Sequence, residues 1–246
     1  MPNRVNVDQL LIDLPQAARR AGFKVATYGM ITGLPLYGFI RRSTKRASTP
    51  LRIYISAGIH GDEPAGTLVL LELLCSDALP HQHDYFLCPL MNPTGLAAGT
   101  RENIAGIDLN RDYTDFRSTE IAAHRDWIHA HIHRLDLALH LHEDWEATGF
   151  YLYELNFDDR PHRVPEILHA ANAHLPIEAA RRIDGHPARG GVIRPKRLPE
   201  IPEGLPEAIY FKQHFGGINH TFETPSAIEL KRRIAAQKDA VRAAIP

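Results

Sequence analysis

Strand-like alternation and helix-like spacing take turns along this chain. "KVATYGMI" and "LPLYGFIRRS" read as two strands joined by Thr32-Gly33, a hairpin near a sheet edge. The apolar run "LRIYISAG" (51–58) reads as a buried strand, and a helix follows from about Glu63 to Asp77. "DYFLCPLMN" (84–92) is a further strand that Pro89 ends or bulges, and a glycine-containing loop is expected from Pro93 to Gly106. "STEIAAHRDWIHAHIH" has helical spacing behind an N-cap at Ser118, with Glu120 close behind.

Further along, "LDLALHLHED" (135–144) alternates as a strand, "FYLYELNF" (150–157) as another, and "RVPEILHAANAHL" reads as a short helix. Residues 184–207 carry many Pro and Gly and read as a long loop of the kind that covers a site. "GGINHTFETP" gives the last strand, and Ile228 to Ala244 the last helix. Strands separated by helices predict an α/β fold, a three-layer sandwich in which a mixed, mostly parallel twisted sheet carries helices on both faces. No repeat, low-complexity tract or linker divides the chain, so residues 1–246 are expected to form a single domain.

Composition adds little to that picture and excludes some partners. The 246 residues are 44% hydrophobic and 23% charged, ordinary globular values. A net charge of −1, from 28 basic and 29 acidic residues, gives no argument for nucleic acid or an anionic membrane surface, and neither is expected as a partner. Cys75 and Cys88 lack metal or redox spacing and read as buried free thiols. "MPNRVNVDQLLIDLPQAARR" lacks the apolar core of a signal peptide, and no run approaches the ~20 apolar residues of a membrane span. A cytoplasmic location is therefore expected, and the pattern carries no signal for oligomeric state.

Histidine is the outlier, with 15 residues. "HAHIH" reads as a solvated helix end, because only His129 and His133 share a helix face. "GIHGDEPAG" (58–66) is different. His60 and Glu63 sit in a turn entering a helix, where imidazole and carboxylate can converge on a Zn²⁺ ion. Alone, the stretch serves equally as a helix start at which Asp62 or Glu63 complements the macrodipole. A hydrolytic centre needs a third ligand from a neighbouring strand end. His140 and His142 share one face there, and His142 is nearer the C-terminal edge where parallel sheets place their sites. His140 reads as a buried, hydrogen-bonded histidine.

"NPTGLAAGTRENIAGIDLNRDY" supplies Arg101, Asn110 and Arg111. An arginine fork beside an Asn amide matches a carboxylate, and another arginine near a metal could hold an oxyanion. On their own these are ordinary loop residues. Glu223, at the end of the last strand, could move a proton at such a centre, or be an acid ahead of the final helix.

Taken in order, HxxE (His60, Glu63), NPxG (Asn92 to Gly95), Arg101, DLNR (Asp108 to Arg111), Leu141-His142 and TFE (Thr221 to Glu223) resemble the zinc carboxypeptidase, carboxypeptidase A-like family over roughly residues 50 to 228. The resemblance implies one zinc per chain held by His60, Glu63 and His142. It implies Arg101 on the scissile carbonyl, Asn110 and Arg111 on the substrate's terminal carboxylate, and Glu223 as general base. Tyr210 is the nearest candidate for the mobile tyrosine of digestive members. "HGDE" lacks their internal Arg and is similar to murein peptide amidases and the succinylglutamate desuccinylase/aspartoacylase branch. The implied activity is hydrolysis of an amide bond next to a free carboxylate, on a peptide or an N-acyl amino acid. An N-acyl amino acid deacylase and a non-catalytic peptide-end binder are the alternatives.

Overall fold

The computed structural model describes residues 5–44, 49–158, 160, 162–199, 201–202 and 204–246. The chain opens with α1 (Val7–Arg20), capped by Asn6, whose side chain accepts from Gln9 N at 3.1 Å. Leu10, Leu14, Ala17 and Ala18 bury one side of this helix. Helix α1 is an addition to the elements read from the sequence. The hairpin follows as β1 (Lys24–Ile31) and β2 (Leu34–Arg41), and Thr32 and Gly33 close it at φ of 49° and 85°. Positive φ at both positions is the backbone of a two-residue hairpin turn.

Next come β3 (Arg52–Ala57), α2 (Ala65–Cys75), β4 (Asp84–Cys88) and α3 (Pro93–Ala98). The helix α3 replaces the first half of the loop expected at 93–106. Asn92 starts it by accepting from Gly95 N at 2.8 Å, and Pro93 fits the first turn, where no N–H is needed. A single 3-10 turn, Leu109–Arg111, precedes α4 (Thr119–His131), which begins at Ser118 as expected. The second half holds β5 (Leu137–Asp144), β6 (Tyr151–Leu155), α5 (Val164–Asn172), β7 (Arg182–Ile183), β8 (His186–Arg189) and β9 (Val192–Ile193). It closes with α6 (Glu207–Phe215), β10 (Ile218–Pro225) and α7 (Leu230–Ala244). Residues 184–207 are thus partly strand rather than loop; positions 200 and 203 of that stretch lie outside the described residues.

The strands form one mixed sheet, β1-β2-β4-β3-β5-β10-β6-β9-β8-β7. Parallel pairing holds the centre, β4-β3-β5-β10, and recurs between β6 and β9; the remaining pairings are antiparallel. Period-two alternation divides the core into two layers. Ile53, Ile55 and Ala57, with Leu137, Leu139 and Leu141, meet α1, α2, α5 and α7. Tyr54, Phe86 and Ala138 meet α4 and α6 on the opposite face. The same alternation turns His140 and His142 towards the α4/α6 side.

Cys88 is buried and Cys75 is exposed, and both are free. Cys75 is the last residue of α2, where the helix meets solvent, which corrects the reading of two buried thiols. Among the described residues, no helix is long and apolar enough to cross a membrane.

Candidate metal centre and substrate cavity

The turn after β3 carries His60 and Glu63, which are 2% and 5% exposed. Gly61 between them is dictated by contact: a Cβ there would lie 2.0 Å from the carbonyl carbon of Gly95. The turn therefore presses directly on the start of α3, and Gly61 N donates to Arg101 O at 3.3 Å. His142 arrives from the C-terminal end of β5 and is also buried.

Glu63 is the hub. Its Oε1 lies 2.6 Å from His60 Nδ1, its Oε2 lies 3.0 Å from His142 Nδ1, and Glu143 N donates to Oε2 at 3.1 Å. One ligand atom from each of the three residues falls within 4.8 Å of the others. Both rings turn Nδ1 to the same carboxylate, while His60 Nε2 is 3.2 Å from Asp108 Oδ1. An outer carboxylate of this kind fixes ring orientation at metal centres. Two imidazoles and a carboxylate suit a borderline divalent ion and leave a position open for water.

The electrostatics agree with that fit. Burial disfavours the His60 imidazolium, yet Glu63 and Asp108 outweigh burial and raise the ring to about 9. Burial likewise acts upward on Glu63, but His60 and His142 draw it well below the usual carboxylate range. The pocket is built to hold positive charge between these side chains. A bound divalent ion supplies that charge as directly as a proton does.

The residues behind the cluster are equally fixed. Asp62 is exposed and lines the cavity, and no side chain caps α2 at Pro64. The cap comes instead from β5: Ala65 N donates to Glu143 Oε1 at 2.7 Å, and Glu143 Oε2 pairs with the buried Arg233 of α7. Gln237 Nε2 donates to His142 O at 2.6 Å and to Thr224 Oγ1 at 3.0 Å, tying the ends of β5 and β10 together.

A cavity of about 450 Å³ opens over the cluster, and His60, Glu63, His142, Glu223, Arg101, Asn110 and Arg111 all line it. Arg101 Nε donates to Asp108 Oδ2 at 3.0 Å, and its NH1 stands 3.7 Å from Glu63 Oε1. Asp108 also caps the 3-10 turn, its Oδ1 accepting from Asn110 N at 2.9 Å. One carboxylate thus orients His60, Arg101 and the backbone that presents Asn110 and Arg111. The sequence reading named Asp108 only within DLNR and gave it no role. Glu223 is half-buried, and its carboxylate makes no hydrogen bond among the described residues. Burial first, then the negative charges of Glu63 and Asp144, push it well above the usual carboxylate range against the pull of Arg101.

Tyr210 stands apart from this group. Pro206, Ala208 and Ile209 face the cavity, whereas Tyr210 turns towards α4, 4% exposed, with its hydroxyl 2.6 Å from His129 Nε2. Its ring packs 5.1 Å from that of Tyr113. The tyrosines that do line the cavity are Tyr151 and Tyr153, which donate to Asp144 Oδ2 at 2.9 Å and Asp184 Oδ2 at 2.7 Å. Alternation along "FYLYELNF" puts both on one strand face, a signal the sequence reading did not use. His140 is fully buried, with Nδ1 2.9 Å from Glu207 Oε2 and 3.1 Å from Ser56 Oγ.

Known proteins share this fold. The sequence profile of the succinylglutamate desuccinylase/aspartoacylase catalytic domain matches residues 50–223. A metallopeptidase-assigned structure from Shewanella amazonensis superposes with a TM-score of 0.81 at 26% identity, over 97% of this chain and 91% of that one. A metallo-carboxypeptidase from Burkholderia cenocepacia shares the fold, with a TM-score of 0.68 at 17% identity over 94% of this chain and 66% of its own. Carboxypeptidase E of Caenorhabditis elegans is 32% identical over 114 residues, which span 36% of this chain and 24% of that protein.

Proposed function

The chain belongs to the succinylglutamate desuccinylase/aspartoacylase catalytic-domain family, and from that membership we propose a zinc-dependent hydrolase that cleaves an amide bond next to a free carboxylate. The observation that carries this reading is the sharing of one cavity by the His60–Glu63–His142 cluster, by Glu223, and by the Asn110-Arg111 pair. Acid–base, metal-ligating and carboxylate-binding groups are then within reach of a single small substrate.

Bound zinc supplies Lewis acidity, which makes a water nucleophilic near neutral pH and polarises a carbonyl. Glu223 accepts the proton of the attacking water and returns it to the leaving nitrogen. Arg101, held at Nε by Asp108 and with NH1 beside Glu63 and His60, keeps NH2 for the oxyanion of the tetrahedral intermediate. Arg111 and the Asn110 amide take the substrate carboxylate and fix which amide lies over the cluster.

The cavity wall favours a peptide over an N-acyl dicarboxylic amino acid. Its buried portion includes Leu155, Ile193 and Ile209. Among the described residues, Arg101 and Arg111 are the guanidinium groups that line it, and Arg101 is engaged with Asp108 and Glu63. A second substrate carboxylate would be buried there without a free cation, which is costly. The family match itself supports the second reading, an N-acyl amino acid deacylase.

Zinc-loaded protein offered dipeptides, a murein peptide, N-acetyl-aspartate and N-succinyl-glutamate, each beside a carboxyl-amidated counterpart, tests both readings. Preferred turnover of free-carboxylate peptides is expected. Equal turnover of free and amidated substrates would remove the role given to Asn110 and Arg111.

A further inference from the structure

Glu207, the first residue of α6, is 1% exposed although it carries a carboxylate. Its Oε1 accepts from the Tyr54 hydroxyl at 2.8 Å, and its Oε2 accepts from the Ser56 hydroxyl at 2.8 Å and from His140 Nδ1 at 2.9 Å. These partners come from β3 and β5, so one buried charge fastens the start of α6 to the sheet. Charge-assisted bonds of this kind are about twice as strong as neutral ones.

The main chain of the same residue faces the cavity. Glu207 N donates to Asn110 Oδ1 at 2.9 Å. A backbone N–H can only donate, so the atom it meets must be the carboxamide oxygen. The Asn110 NH₂ group is thereby left for the cavity that this residue lines. Two neighbouring contacts hold the same strip of chain. Leu205 N donates to Thr114 Oγ1 at 3.0 Å. Gly204 has φ of +118°, and a Cβ there would lie 2.1 Å from Arg111 O. The segment leading into α6 therefore clasps residues 110–114 at three points.

We propose that Glu207 is a positioning residue for carboxylate recognition, its buried side chain anchoring α6 to the sheet while its backbone N–H turns the Asn110 amide to donate into the cavity. This inference rests on the reading that Asn110 and Arg111 receive a substrate carboxylate. A Glu207 that served the fold alone would affect free and amidated substrates alike. A Glu207 that aims Asn110 affects the free carboxylate selectively.

The experiment compares Glu207→Gln with the parent enzyme, both zinc-loaded, on one peptide with a free terminal carboxylate and on its amide. KM for the free carboxylate is expected to rise about tenfold or more, a scale reached when a binding group shifts by 1 Å. KM for the amide and zinc content are expected to stay within about twofold, a difference of a few tenths of a kcal/mol. Equal changes on both substrates, or none on either, would overturn the proposal. Should Glu207→Gln fail to fold, Tyr54→Phe keeps the packing and removes one donor to the carboxylate. A selective rise in KM for the free carboxylate supports the proposal there too, and an unchanged free-to-amide ratio overturns it. Arg111→Ala run in parallel separates the two claims. If it leaves the preference for the free carboxylate intact, the carboxylate reading falls and takes this inference with it. If Arg111→Ala abolishes the preference and Glu207→Gln does not, only the positioning role fails.

Discussion

Glu223 and His142 are register partners in the parallel pairing of β10 with β5, so both side chains leave the sheet on the same face, over the same cavity. The pairing places a candidate acid–base group beside a candidate metal ligand without making it one. Gln237 bonds to the carbonyl of His142 and to the hydroxyl of Thr224, so the two strand ends keep that register.

Replacing Glu223 with Gln keeps the shape and removes the base. Turnover is expected to fall about 10²- to 10⁴-fold, the range general acid–base catalysis supplies, with the metal retained. Steady-state kinetics with metal analysis of the same sample checks this. Loss of the metal together with activity would make Glu223 a ligand rather than a base.

Removing the metal should inactivate the protein and also soften it. Three buried groups that hold positive charge lose their common partner, and an ion that binds only the folded chain adds about 2.7 kcal/mol of stability at a hundredfold excess over Kd. Chelation followed by thermal melting is expected to lower Tm, and zinc to restore both Tm and turnover. In His142→Ala the melting point should no longer respond to zinc. A zinc-dependent shift that persists in this variant would place the ion elsewhere.

Gly61→Ala tests the backbone contact under the cluster. The added methyl would meet the Gly95 carbonyl carbon at 2.0 Å, and both neighbours are main chain, which cannot swing aside. Overpacking of this sort costs about 1–3 kcal/mol, and here the strain falls on the turn joining His60 to Glu63. Lower stability with weakened zinc affinity is expected, read by denaturant titration and by competition with a chelator. Unchanged values for both would show that the two loops separate at no cost.

The candidate ligand set was legible in the sequence because it follows local rules. Alternation in "LALHLHED" put His140 and His142 on one face, and HxxE placed His60 beside Glu63. The strands were legible for the same reason. What was missed depends on contacts between distant segments. Tyr210 looked close to Glu223 along the chain, yet the tyrosine beside Glu223 in space is Tyr151, its partner in the β10–β6 ladder. The start of α2 looked self-capped by Asp62 or Glu63, yet its cap is Glu143 from β5. Glu207 carried no signal, because its partners lie on β3, on β5 and in the 3-10 turn.

Two buried histidines should cost the fold stability in acid before the lowered carboxylates titrate. Burial lowers His124 to about 4 from an ordinary 6.5; it lies between the Tyr54 and Tyr113 hydroxyls, with Glu207 pulling upward and His140 downward. Burial lowers His220 to about 4 as well; Glu154 acts upward on it, His162 and Arg194 act downward, and its Nδ1 has no hydrogen-bond partner among the described residues. Between pH 6.5 and 4 the unfolded chain binds protons at these positions that the folded chain refuses, so acid favours unfolding. Each histidine contributes about 3 kcal/mol that is present above pH 6.5, declines through this window and is gone below about pH 4. Glu143, which burial raises to about 7, and Glu223, raised by burial and by Glu63 and Asp144, act the other way. The folded chain takes up their protons before the unfolded chain does, so acid stabilises at these two positions down to about pH 4.5. Denaturant unfolding of the parent and of His220→Gln from pH 7.5 to 4.5 is expected to show the parent losing stability relative to the variant from about pH 6.5 downward. A difference between parent and variant that stays level down to pH 5 would mean that the His220 ring is reached by water or protonated in the fold.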